Sequence, residues 1–220
     1  MSRKTKKPKF PESYQGDKAE EYNQSRWMER NQKRTALLCI QYLYDEHLDK
    51  VHHHDILKDL PYLMLDLGCG TGFSSEILAE NGFRVIGVDI LKDMISKARQ
   101  KKIGYEKGTH IEYVQSDINN LPFKDNSIDH IISISAYNFI IDPTTTSKEK
   151  VIRLTQTARY LNTIIKDHGR MALEFYPNDE QELNLFKSSF INNGFDGFMI
   201  KQNPNQKSGQ TFLLLKKIKE

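Results

Sequence analysis

Tyr62-Leu63-Met64-Leu65-Asp66-Leu67-Gly68-Cys69-Gly70-Thr71-Gly72 carries an apolar run, Tyr62 to Leu67, into a helical pattern that extends from Ser74 to Glu80. The reading is a strand, a glycine turn and a helix N-terminus. Glycines at alternate positions, Gly68, Gly70 and Gly72, let the backbone turn tightly and approach a ligand closely. The free N–H groups that open the helix add a polar, electropositive surface. Such a loop cradles a nucleotide-like cofactor. The dinucleotide loop G-x-G-x-x-G is similar, but the spacing here is G-x-G-x-G and the acidic Asp66 precedes it at the strand end. A carboxylate there suits a cofactor with an ammonium and a sulfonium better than one with a pyrophosphate.

Outward from this turn, strands and helices alternate. Strands are expected at Tyr62–Leu67, Arg84–Asp89, Ile111–Gln115, Ile128–Ser133, Arg170–Phe175, Phe198–Lys201 and Thr211–Lys216. Helices are expected at Ser74–Glu80, Met94–Lys102, Lys148–Lys166 and Asp179–Asn192. Repeated β-then-α units imply a mostly parallel sheet covered on both faces. The last two strands are joined by a short turn-rich stretch, Gln202 to Gln210, too short for a parallel crossover, so they form an antiparallel hairpin. Before the first strand, Asp17 to Leu48 has helical periodicity, with Leu37, Leu38, Ile40 and Leu43 as its expected buried stripe.

A chain of 220 residues is one ordinary domain, too short for a cofactor domain with a separate substrate domain. That counts against a two-domain dehydrogenase. The net charge of +3 is compatible with an RNA substrate without requiring one. Arg3, Lys4, Lys6, Lys7 and Lys9 crowd one end and Lys216, Lys217 and Lys219 the other, either as solvated tails or as arms for phosphates. The cysteines, Cys39 and Cys69, and the lack of an apolar leader or membrane-spanning run predict an intracellular protein with no membrane association. His52, His53 and His54 read as a surface loop rather than a metal site, so no metal is expected in this chain.

The Asp66-to-Gly72 segment resembles motif I of the class I S-adenosylmethionine-dependent methyltransferases. The resemblance implies a Rossmann-like α/β fold with a seven-stranded sheet, the last strand antiparallel, and helices on both faces. With the basic run at 1–16 read as a flexible tail, it implies one methyltransferase domain over 17–220, divided into a helical part, 17–60, and a cofactor-binding core, 61–220. Ligands of such sheets sit beyond the strand carboxyl ends. Asp89, ending the second strand, is expected to accept from both ribose hydroxyls, with Ile90 against the adenine. The resemblance gives Asp117 to the adenine amino group, with Ile118 beside the ring. An Asx turn or helix cap is the alternative for both aspartates. Asp66, Gly68, Cys69, Gly70, Gly72, Ser133 and Tyr22 complete the expected S-adenosylmethionine site, Cys69 as a space-filler and Tyr22 closing the N-terminal segment over the cofactor. S-Adenosylhomocysteine is the product.

Further phrases narrow the resemblance. Pro11-Glu12-Ser13-Tyr14, Ala19 through Tyr22 followed by Gln32, Leu121-Pro122-Phe123, Ser133-Ile134-Ser135-Ala136 and Phe175-Tyr176-Pro177 resemble, in order, the eukaryotic guanine-N7 methyltransferases of small-subunit ribosomal RNA. That family implies 7-methylguanosine in small-subunit rRNA or a pre-ribosomal particle, and a small zinc-binding activator protein as heterodimer partner. Tyr137 and Asn138 are expected to hold the base, with Phe139, Tyr176 and Pro177 as stacking walls. Where those enzymes usually read Gln-Trp, this chain has Asn138-Phe139, a shorter amide and a smaller ring, which implies a different base pocket. Their long basic C-terminal extension does not follow Glu220, which implies a compact, archaeal-type relative, cytoplasmic in a cell without a nucleus and nuclear otherwise. The third strand, residues 111–115, should lie at a sheet edge open to strand addition by the activator, or be protected by its own charges, Glu112 and Lys107. Competing readings are a methyltransferase for tRNA, protein or a small molecule, and a non-catalytic ribosome assembly factor.

Overall fold

The structure, a computed structural model, describes residues 9–44, 62–102, 110–137, 146–202 and 209–218. Its sheet comprises β1 (Leu63–Leu67), β2 (Arg84–Asp89), β3 (Ile111–Gln115), β4 (Ile128–Ile134), β5 (Ile165–Phe175), β6 (Phe195–Lys201) and β7 (Thr211–Lys217), in the order β3-β2-β1-β4-β5-β7-β6. The first five strands pair in parallel, and β7 runs antiparallel to both β5 and β6. This is the seven-stranded sheet with a terminal hairpin that the resemblance implied.

The helices are α1 (Asp17–Gln24), α2 (Arg26–Leu43), α3 (Phe73–Glu80), α4 (Lys92–Lys102), α5 (Ser147–Ile164) and α6 (Glu180–Ile191). Because successive strand residues face opposite sides, β1 sends Leu65 and Leu67 into one core with Leu154, Leu161 and Phe186 of α5 and α6. It sends Met64 into the other core, with Ala36, Cys39 and Leu78 of α2 and α3. Asp66 shares the Met64 face, which decides its partners.

The long N-terminal helical stretch is interrupted. Ser25 leaves helical geometry at φ −75°, ψ 102°, and its side chain accepts a hydrogen bond from Met28 N, capping α2. On α2 the buried stripe is Thr35, Ala36, Cys39 and Leu43, while Leu37 faces outward at 48% exposure. Of the expected stripe Leu43 is buried and Leu38 and Ile40 pack against the same core, but Leu37 is displaced by the smaller Ala36 and Cys39, which let α2 lie closely on α3. Strand β5 begins at Ile165, before the expected Arg170. The polar Lys166-Asp167-His168 start hides it, although Lys166 is anchored by an ion pair to Asp129 at 2.7 Å.

Candidate functional site

The glycine turn is held by backbone bonds. The N–H groups of Gly68 and Cys69 both donate to Val88 O, at 2.8 and 2.9 Å. Gly68, Gly70 and Gly72 have φ of +72°, +55° and +85°, in the left-handed region that costs an L-residue about 1–2 kcal/mol. A Cβ on Gly68 would lie 2.2 Å from the Ala136 Cβ, so the turn passes directly against the end of β4. A Cβ on Gly72 would meet the Tyr113 hydroxyl at 2.3 Å. Gly72 is thus required for packing and does not line the cavity.

Over the strand carboxyl ends lies a cavity of about 1090 Å³. One half is walled by Gly68, Cys69 and Gly70, by Asp89, Ile90 and Leu91 after β2, and by Asp117 and Ile118 after β3, with Tyr14, Tyr22 and Met94 closing its side. The other half is walled by Ser135 and Ala136 after β4, Glu174 and Tyr176 at β5, and Gln210 before β7. The α2 residues Trp27, Gln32, Arg34 and Thr35 form its roof, and Arg153 of α5 also lines it.

Asp89 is fixed at this rim. Its Oδ2 accepts from Gly70 N at 3.0 Å and its Oδ1 from Leu91 N at 2.8 Å. Burial raises its pKa, and the amides of Leu91, Gly70 and Ile90 oppose the rise. The carboxylate keeps a further acceptor site beside these amides. Asp117 caps its own loop, its Oδ1 accepting from Asn119 N at 2.8 Å and Asn119 Nδ2 at 3.0 Å, so the Asx turn is realised on the cavity wall itself. Ile90 is 45% exposed there, an apolar surface held open. Tyr22 stacks on Phe73 with ring centroids 6.2 Å apart, and burial raises its phenol pKa. Ala19, Leu91 and Met94 pack with Tyr14 and Tyr22 to seat α1 on α4.

Besides Gly72, four expected site residues lie elsewhere among the described residues. Asp66 is fully buried under the turn, its Oδ2 accepting from the hydroxyls of Ser74 and Ser75, each at 2.6 Å. Burial pushes its carboxyl up to about 6 against those two bonds, and the nearby Asp89 charge adds to the rise. Ser133 is buried and its hydroxyl donates to Leu67 O at 2.9 Å, tying β4 to β1. Tyr137 is fully buried in the α6 core, its ring 5.2 Å from that of Phe186 and 6.1 Å from that of Phe190. The expectation that it holds a base is corrected: an aromatic one residue past Ala136 turns inward to fill the sheet–helix layer. Pro177 is outside the lining, whereas its neighbour Tyr176 is in it. Asn138, Phe139 and the His52–His54 cluster lie outside the described residues. Among the described residues no three His, Cys, Asp or Glu side chains converge as a metal would require.

Glu174, Gln210 and Trp27 were not read as site residues. Glu174 had a signal, a lone charge in the apolar strand Met171-Ala172-Leu173-Glu174-Phe175. Gln210 and Trp27 had none, since only the antiparallel return of β7 and the lie of α2 bring them to the cavity.

Comparison with known proteins agrees with this geometry. A family model described as a methyltransferase domain matches residues 65–157. The 18S rRNA (guanine-N(7))-methyltransferase of Bos taurus is 29% identical over 158 residues, 71% of this chain and 54% of that protein. The chain thus spans about half the length of the curated relatives it matches. The crystal structure of magnesium protoporphyrin IX methyltransferase from Synechocystis with bound SAM superposes with a TM-score of 0.65 at 17% identity, covering 94% of each chain. A chain of the complex between the Haloferax volcanii Trm112 methyltransferase activator and a methyltransferase superposes with a TM-score of 0.58 at 14% identity, covering 88% of this chain and 95% of that one. The fold is that of the class I methyltransferases.

Proposed function

We propose that this chain is an S-adenosylmethionine-dependent methyltransferase that modifies N7 of a guanine in small-subunit rRNA. The observation that carries the cofactor is the convergence of the glycine turn, Asp89 and Asp117 on one cavity. Asp89, with both oxygens steadied by backbone amides, would accept from ribose hydroxyls, and Ile90 and Ile118 would face the adenine. The free oxygen of Asp117 would take the adenine amino group. Gly70 leaves the loop open toward the cavity, the nearest atom to an added Cβ being Tyr22 Cε1 at 4.0 Å. Bound S-adenosylmethionine would supply an electrophilic methyl on a sulfonium and leave as S-adenosylhomocysteine. Asp66 acts from below, bracing the turn to α3 through Ser74 and Ser75.

The relatives' printed activity supports rRNA guanine as acceptor. Guanine N7 carries an in-plane lone pair, so the site needs no general base. Its work is orientation, which can contribute on the order of 7–11 kcal/mol. The half of the cavity beyond β4 would hold the base, with the exposed Tyr176 and Trp27 as stacking surfaces and Arg34 and Arg153 toward phosphates. A zinc-binding activator would add a strand along β3, which ends the sheet. That edge is partly covered already: Arg99 donates to Tyr113 O at 2.8 Å and Lys102 pairs with Glu112.

The test is transfer of labelled methyl to small ribosomal subunits lacking the modification, with and without a co-purifying zinc protein, followed by nucleoside analysis. Label in 7-methylguanosine is expected. Asp89→Ala should weaken S-adenosylmethionine binding at least about tenfold, the loss of one or more hydrogen bonds to a charged acceptor. Cofactor binding without label in RNA would refute the acceptor.

A further inference from the structure

Glu174, the penultimate residue of β5, lines the acceptor side of the cavity and is only 1% exposed. Three neutral donors hold it. Ser135 Oγ donates to Oε2 at 2.7 Å, while Tyr176 OH and Gln210 Nε2 donate to Oε1 at 2.8 and 2.6 Å. Gln210 is in turn steadied by Thr35 Oγ1 at 2.9 Å. Among the described residues no lysine, arginine or histidine pairs with Glu174. Ser135 itself sits at φ +60°, a strained conformation for a serine, and its N–H donates to the Glu174 carbonyl at 3.2 Å. The protein therefore uses backbone strain and three donors to hold, at the cavity, a carboxyl group with no cationic partner among the described residues.

Oε1 already accepts two bonds, but Oε2 accepts one and retains a lone-pair site. The ligand that completes it is an N–H donor. The strand order β2-β1-β4-β5 sets Glu174 two strands from the glycine turn, on the side away from Asp89. Strand spacing makes that separation roughly 10 Å, enough for a planar base to lie between them.

We propose that Glu174 determines acceptor specificity by accepting at Oε2 from the 2-amino group of guanine, an inference that rests on the guanine-N7 reading above. Adenine has no amino group at that position and would leave the buried oxygen without its last partner. Transfer forms the N7–carbon bond with the N7 lone pair and breaks the carbon–sulfur bond toward sulfur. One positive charge thereby passes to the purine and no proton moves. The hydrogen bond from the base to the Glu174 carboxylate becomes an ion pair as the ring turns cationic. That interaction is stronger in the transition state than in the ground state, the condition for raising kcat.

The experiment uses the protein with its co-purifying partner and a small-subunit RNA fragment whose acceptor nucleotide is either guanosine or inosine, which keeps N7 and N1–H but lacks the 2-amino group. The wild type should favour guanosine in kcat/KM by on the order of tenfold. Glu174→Ala should bring the two acceptors within about twofold, and Glu174→Gln, which keeps an acceptor without charge, should lower kcat by on the order of tenfold. Both variants should bind S-adenosylhomocysteine like the wild type. Equal use of both acceptors by the wild type, or a Glu174→Ala variant that still prefers guanosine, overturns the assignment while leaving N7 methylation standing. If Glu174→Ala loses S-adenosylhomocysteine binding by misfolding, the isosteric Glu174→Gln decides, and an unchanged kcat and guanosine preference there overturns the assignment. A wild type that labels neither RNA overturns the guanine-N7 reading and the role of Glu174 together.

Discussion

Asp66→Asn tests whether the motif aspartate is a buried brace. In the folded protein burial pushes the carboxyl from its ordinary 3.8 up to about 6, because Oδ1 is sealed from water without a partner while Oδ2 takes the hydroxyls of Ser74 and Ser75. The sign follows from linkage. Between these two values the folded state binds more protons than the unfolded one, so this group's stabilising contribution is complete below the unfolded value. It is lost as pH rises through the folded one. The full span is about 3 kcal/mol, from 1.36 kcal/mol per pKa unit. Between about pH 8 and about pH 5, where other buried carboxylates titrate less, roughly 1 kcal/mol of it should appear. Urea unfolding of wild type and Asp66→Asn at several pH values isolates it, since every shared group cancels in the difference. The wild type should gain roughly 1 kcal/mol on the variant toward pH 5. A difference that stays flat, or that grows toward alkaline pH, would show that Asp66 is solvated or engaged by a cation, and the brace would be wrong.

Gly68→Ala should lose about 2–5 kcal/mol of stability, the sum of a left-handed alanine and overpacking against the Ala136 Cβ at 2.2 Å. Chemical unfolding reads this loss, and a change of less than about 1 kcal/mol would mean that β4 yields freely. Lys101 lies on the Phe73 ring, 3.6 Å from its centroid, with no hydrogen-bond partner for its ammonium, and burial pushes its pKa down to about 8 against the pull of Glu76. Its unfolded form binds the extra proton between there and 10.5, so its contribution to stability rises with pH across that window. Lys101→Met should remove that rise, and parallel melting curves for the two proteins from about pH 8 to about pH 10 would refute it.

Much of the fold was legible because its signals are local. Apolar runs closed by Gly68-Cys69-Gly70 or by Asp89 mark buried parallel strands and their carboxyl ends. The short Gln202-to-Gln210 link forces an antiparallel hairpin, as β6 and β7 form. The failures are equally physical. Asp66 reads as a ligand carboxylate from its position beside the glycines, yet strand alternation puts it on the Met64 face, toward the Ser74 and Ser75 hydroxyls. Tyr137 follows a substrate-facing strand end, but beyond Ala136 its ring turns into the space between α6 and the sheet. Leu37 outranks Ala36 in hydrophobicity, but the close approach of α2 to α3 selects the smaller side chain.

The sequence by itself determined the alternation of elements, the glycine turn and the placement of Asp89 and Asp117 at strand ends, since each depends on neighbours within a few residues. Only the tertiary structure decided what stands across the cavity from them. Glu174, Gln210, Thr35 and Trp27 come from β5, the approach to β7 and α2, and meet because the sheet order and the lie of α2 fold distant segments over one floor. No local pattern encodes that meeting. It follows from which faces bury against which, a property of the whole chain.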